Sequence, residues 1–420
     1  MASPKVAEAL QQVSAAPDKG PAFESLLTNI KTLSSPGAVE ADLNAVVDAA
    51  LAASLGIVAT RGVLTALTSA LGALANDDLT AAVGTRTLSL LNGSPQSSSS
   101  FLDQAAALRE LVAGAHEANE DFLAAARELA EIPLDSSQRR VADAEKARVW
   151  VRVVRDFLEA DEPASAETYL NKLKGVIFDV DDDALRLHFR LSQARINDAK
   201  RQFLAASQAY HDISFTAAIA EEERLHTLAM AVKCAVLAPA GPSRSRALGR
   251  LYKDERTAGL EEFGILEKMF LDRLLAPAEV DRFAQGLAPH QLATTADGST
   301  VLARAVVEHN LLGASRLYSN IDFDSLGLLL GLDAAKAEET TARMIEQGRL
   351  VGRIDQIGRA IWFGGGEASG EKGSGCAEAV FAREMRRWDA NVQGLAEEVE
   401  NVTNALQREM PDFVAAHLIV

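Results

Sequence analysis

The stretch from Asp322 to Phe363 constrains this chain more than any other part of it. Asp322 and Asp324 flank the start of a short apolar helix, Phe323 to Leu330, which Gly331 stops. Asp333 can cap a second helix running to about Gln347. Gly348 is placed to end it, because glycine takes the left-handed conformation at no steric cost. Leu350 to Asp355 and Ala360 to Phe363 then read as two short strands around a turn at 356–359. Helix, helix, hairpin is the winged-helix order, expected here over about 321–363. Such modules bind either nucleic acid or protein, and charge separates the two. The second helix holds Asp333, Lys336, Glu338, Glu339, Arg343 and Glu346, which sum to −2. A helix bound for a DNA groove gathers Arg and Lys on one face instead. The strands offer open edges for assembly with another protein, with Ile354, Asp355, Ile361, Trp362 and Phe363 as candidate contacts.

The rest of the chain reads as helix. Hydrophobic residues make up 48% of the 420 positions and aromatics only 5%, a mix that suits stacked helices and fits a sheet poorly. Apolar residues recur at three- and four-residue spacing over 101–131, 142–159, 164–177, 184–199, 202–213 and 216–237. Antiparallel helices of this kind stack into a solenoid, because one pair cannot bury its own stripe. No fixed repeat length is visible, and an irregular all-helical domain fits nearly as well. Residues 92–100 are a polar loop, and the glycosylation-like triplet at Asn92 carries no weight without a secretory signal. In the most apolar region, 45–74, Asp48 and Arg61 leave an uninterrupted run too short to span a bilayer, so no membrane partner is expected.

Residues 364–376 hold six glycines in thirteen positions and read as a flexible linker. Beyond it, Phe381, Met385, Trp388, Val392, Leu395, Val399, Val402 and Leu406 alternate four- and three-residue steps. That is a heptad seam, expected on a helix over 377–410. A narrow seam of this kind suits a bundle with partner helices; folding back on the chain's own solenoid is the alternative.

Signatures of chemistry are absent from the sequence. No Gly-Lys dipeptide supplies a phosphate-binding loop, and no GxSxG, HExxH or HxH is found. His290 and His309 read as packing or hydrogen-bonding residues, and 179–183 as a loop with an acidic helix cap. Cys234 falls in an apolar run and reads as core, whereas Cys376 borders the linker. No catalytic residue, cofactor or metal site is therefore expected. The net charge of −17 disfavours nucleic acid. One counterweight is the cluster Arg244, Arg246, Arg250, Lys253 and Arg256. It is either a patch for an acidic partner or a solvated face paired with Asp254 and Glu255.

The blocks at 289–300, 304–311, 251–256, 263–273 and 354–357 closely resemble the subunit 4 family of the COP9 signalosome, from about Lys200 to Phe363. The resemblance implies a helical-repeat arm over 1–199 and a PCI domain over 200–363. It also implies a scaffold role in removing the ubiquitin-like modifier Nedd8 from cullins. The implied partners are other PCI subunits, the JAMM metalloprotease pair that performs the cleavage, and a cullin–RING ligase met by the N-terminal arm. The implied location is cytoplasm and nucleus. A proteasome-lid subunit is the runner-up, and a nucleic-acid-binding winged-helix protein is the reading from a different class.

Overall fold

The computed structural model describes residues 3–16, 18–35, 37–53, 55–93, 100–135, 139, 141–294, 298–364 and 375–417, without the side chains of 375–387 and 415–417. The expected polar loop and glycine linker lie largely outside the described residues, as does the side chain of Cys376. The chain divides into two compact units, Met1–Lys200 and Arg201–Val420.

The elements described in the first unit are all helices, and they enclose two principal apolar cores. One gathers Phe23, Leu27, Leu43, Val46, Leu67 and Leu71. Buried in this region, the Asp42 carboxylate accepts hydrogen bonds from the Ser3 N–H at 2.5 Å and from the Ser34 hydroxyl. The helix Ile57–Leu74 contains Arg61, which keeps its uncharged run short, although its 18 residues as a whole are long and apolar enough to cross a membrane. Its stripe Val63, Leu67, Ala70 and Leu71 is nevertheless buried in this core, and Arg61 on another face donates to the Ser100 carbonyl at 2.7 Å.

The second core contains Ala126, Leu129, Trp150, Val153, Val154 and Leu173. Here the structure shows a repeat that the sequence conceals. Helices Leu102–Ala118, Asp143–Glu159 and Asp183–Ala199 are each 17 residues long and start 41 and 40 residues apart. Each is followed two residues later by a left-handed residue: Glu120 (φ 61°), Asp161 (φ 58°) and Arg201 (φ 60°). At the first two corners a six-to-one hydrogen bond closes the helix, from Asp121 N to His116 O at 2.9 Å and from Glu162 N to Phe157 O at 2.8 Å. The partner helix then begins two residues after the left-handed one in both cases, at Phe122 and at Pro163. Successive long helices are also tied alike, Arg155 to Glu117 at 3.1 Å and Arg195 to Glu159 at 2.7 Å. The periodic stretch 101–131 is thus two helices, broken at a corner that carries neither glycine nor proline.

In the second unit, helices Phe203–Ser214, Glu221–Leu237, Pro242–Tyr252, Phe263–Phe270, Pro277–Gln285 and Val301–Leu317 precede a small sheet. Cys234 is fully buried among them. Strands β1 (Asn320–Asp322), β2 (Gly352–Asp355) and β3 (Ala360–Phe363) lie in the order β1-β3-β2, all antiparallel. β1 was not foreseen; it pairs Ile321 with Ile361. Helices Phe323–Leu330 and Ala334–Glu346 sit between β1 and β2 in the chain. Asp322 caps the first through Ser325 N at 2.5 Å, and Asp333 caps the second through Lys336 N at 2.7 Å. Gly331 (φ 68°) and Gly348 (φ 67°) end them. The sheet and both helices share one core with Leu311 and Ala314 of the helix Val301–Leu317.

Candidate protein-interaction site

The winged helix is held to the helical layer by a buried carboxylate. Glu308, on the helix Val301–Leu317, accepts both arms of the Arg349 guanidinium, at 2.5 and 3.1 Å. It also accepts the Ala240 N–H at 3.2 Å and Arg304 Nε at 3.2 Å. Burial pushes this carboxyl up, but Arg349, the Ala240 amide and Arg304 outweigh burial and hold it below the usual carboxylate range. Its neighbour His309 is fully buried and donates Nε2–H to the Arg273 carbonyl at 2.8 Å. Burial first, then the Arg244 charge, pull His309 down to about 4, so it packs as a neutral ring. Among the described residues no cluster of three or more His, Cys, Asp or Glu could hold a metal ion.

Within the sheet the candidate contacts separate by face. Ile361 is fully buried and Phe363 nearly so, both in the winged-helix core, and Ile354 is half-buried against it. These three side chains hold the sheet to its own helices and are not free for a partner. Trp362 points the other way, 40% exposed, with the Arg353 guanidinium 5.2 Å over its ring. Asp355 is exposed, but its carboxylate accepts Ile357 N and Gly358 N at 3.1 and 2.9 Å and so shapes the turn. That turn displays Ile357, fully exposed, and the helix Phe323–Leu330 displays Leu328 at 87%. Sequence reasoning missed both, although an isoleucine in a four-residue turn was a readable signal. β1 and β2 are the sheet's two edges.

The second helix has little cation to spare for phosphate. Arg343 pairs with Glu339 at 2.8 Å, Lys336 lies 3.9 Å from Asp333, and Gln356 of the wing donates to Glu338 at 2.6 Å.

The basic cluster separates as well. Arg244 is buried, donates to the Ala238 carbonyl at 3.3 Å and is pulled down to about 10 by burial. Arg256 is paired to Asp254 at 2.6 Å and bonded to the Ser214 carbonyl at 2.8 Å. Those two therefore belong to the fold and not to a patch. Arg246, Arg250 and Lys253 are exposed.

The C-terminal helix, Gly375–Glu409, carries the seam. Trp388, Val392, Leu395, Val399, Val402 and Leu406 are all exposed, Trp388 to 69% and Leu395 to 62%. The side chains of Phe381 and Met385 lie outside the described residues. Six apolar side chains on one stripe of one helix, left in water, have the geometry of a bundle helix without its bundle.

Comparison with known proteins agrees with this architecture. The family model for the N-terminal region shared by PSMD12 and CSN4 matches residues 8–222, and the PCI domain model matches 267–364. A COP9 signalosome complex subunit 4 from Neurospora crassa is 58% identical, with 99% of both chains covered. The protein of the same name from Emericella nidulans is 48% identical over 96% of this chain and 97% of its own. That from Arabidopsis thaliana is 38% identical over 74% of this chain and 76% of its own. The chain belongs to the COP9 signalosome complex subunit 4 family, with a PCI domain behind its helical N-terminal region.

Proposed function

We propose that the chain is a non-catalytic scaffold and regulatory subunit of the signalosome, supporting deneddylation of cullin–RING ubiquitin ligases in cytoplasm and nucleus. A JAMM metalloprotease partner performs the cleavage. The open edges of the winged-helix sheet join other PCI subunits, with Trp362, Ile357 and Leu328 at the contact. The C-terminal seam enters a shared helical bundle, and the helical repeat of residues 1–199 reaches toward the ligase. The observation that carries this reading is the uncovered seam, because a tethered helix with such a stripe is stable in water only against partners.

The test replaces the chain in its own cells by a tagged copy, wild type or Leu395→Glu/Val399→Glu, and identifies stoichiometric partners by mass spectrometry after native purification. Both side chains are exposed, so the substitutions leave the fold of the chain intact. The wild type is expected with a JAMM subunit, further PCI subunits and a cullin, and the variant with these depleted. Recovery of the wild type alone, or with proteasome-lid subunits, overturns the reading.

A further inference from the structure

Arg246 and Arg250 stand four residues apart on the helix Pro242–Tyr252 and line one concave site of about 510 Å³. Leu204, Gln208, Ser243 and Ala247 complete the lining, so the wall contains donors and apolar carbon but no carboxylate. Among the described residues neither arginine, nor the adjacent Lys253, forms an ion pair. The nearest acid in sequence, Asp254, is already occupied by Arg256 and lies 3.4 Å from His211. Ser243 accepts from Arg246 Nη2 at 3.3 Å, which leaves its own hydroxyl proton to be donated elsewhere.

We propose that this site binds a phosphorylated segment of a partner protein, with the phosphate monoester of a phosphoserine or phosphothreonine between the two guanidinium groups. Two planar forks, a hydroxyl and an amide offer more donors than the two oxygens of a carboxylate can accept. A phosphate monoester supplies three oxygens and nearly two negative charges. Leu204 and Ala247 give the flanking peptide an apolar floor. The net charge of −17 repels polyanions in general, so binding here depends on the local pair of guanidinium groups.

The test uses the full chain and an array of phosphoserine peptides, each beside its serine counterpart, read by fluorescence anisotropy. Variants are Arg246→Ala/Arg250→Ala and, as a control outside the cavity, Lys253→Ala. The expected result is a subset of phosphopeptides bound about tenfold or more tighter than their serine forms. The double variant loses that margin, Lys253→Ala keeps it, and the melting temperature is unchanged in both. Equal binding of phosphorylated and plain peptides, or full binding by the double variant, overturns the proposal. Displacement by inorganic phosphate at concentrations equal to the peptide also overturns it, because the site then recognises the ion and not a protein segment.

Discussion

Replacing Glu308 by glutamine removes one charge and leaves the shape of the site. The Glu308 side chain is 4% exposed and that of Arg349 14%, so the charge on Arg349 is stranded where water reaches it poorly. The buried Arg244 guanidinium also loses the stronger of the two acids, Glu308 and Asp272, that favour its charged form. Breaking a buried pair by removing one partner costs about 3–5 kcal/mol; the amide oxygen still accepts from the Ala240 N–H, so about 3 kcal/mol is expected. For a cooperative unit of this size that is about 6–12 °C in melting temperature. The assay is differential scanning calorimetry of the full chain at pH 7 and at a series of lower pH values. The native carboxyl is depressed below its ordinary value of 4.5, so its contribution is complete above 4.5 and is lost as pH falls below that. The gap between wild type and variant therefore closes in acid. A shift below about 2 °C at pH 7, or a gap that persists at low pH, would refute the assignment of this network as the tie between winged helix and helical layer.

Three further outcomes follow from the same reasoning. His309 is depressed from 6.5 to about 4, so it costs no stability above 6.5 and about 3 kcal/mol is lost as pH falls from 6.5 to 4; His309→Gln flattens that slope in urea titrations. Asp156 is fully buried, and burial together with Glu117 raises its carboxyl to about 7. Its raised value means a contribution complete below 3.8 and lost as pH rises from there through 7, so Asp156→Asn raises the melting temperature most at pH 8, less at pH 5, and has little effect below 3.8. Glu120 and Asp161 are exposed and left-handed, so Glu120→Gly or Asp161→Gly stabilises by about 0.5 kcal/mol, measured by denaturant midpoint, the relief of steric cost slightly exceeding the entropy of glycine.

What the sequence made legible was local. Gly331 and Gly348 stand at φ 68° and 67°, and the two aspartate caps bond where their spacing placed them, because caps and stops act through the nearest few residues. Asp182 likewise caps the helix Asp183–Ala199 through Ala184 N at 3.0 Å. What escaped depends on distant partners or on residues without a signal. β1 is three residues long, too short to alternate, and exists only by pairing with β3. Ala360-Ile-Trp-Phe363 has no polar face, so the pattern could not tell that Ile361 turns inward and Trp362 outward. Arg244 reads like its neighbours Arg246 and Arg250 until tertiary packing buries it. The repeat of about 40 residues stayed hidden because the corner at Glu120 carries neither glycine nor proline, so 101–131 read as one stretch and the spacing of the breaks at Asp161 and Arg201 had no predecessor to match.

The uncovered seam also governs how the chain must be supplied. A stripe from Trp388 to Leu406 in water is a standing invitation to any similar stripe, including that of a second copy. Its association is second order in free chain, so each molecule made in excess of the surfaces that cover it adds disproportionately to self-association. Solubility of this chain is then a question of stoichiometry, set by how closely its synthesis is matched to that of whatever covers residues 388–406.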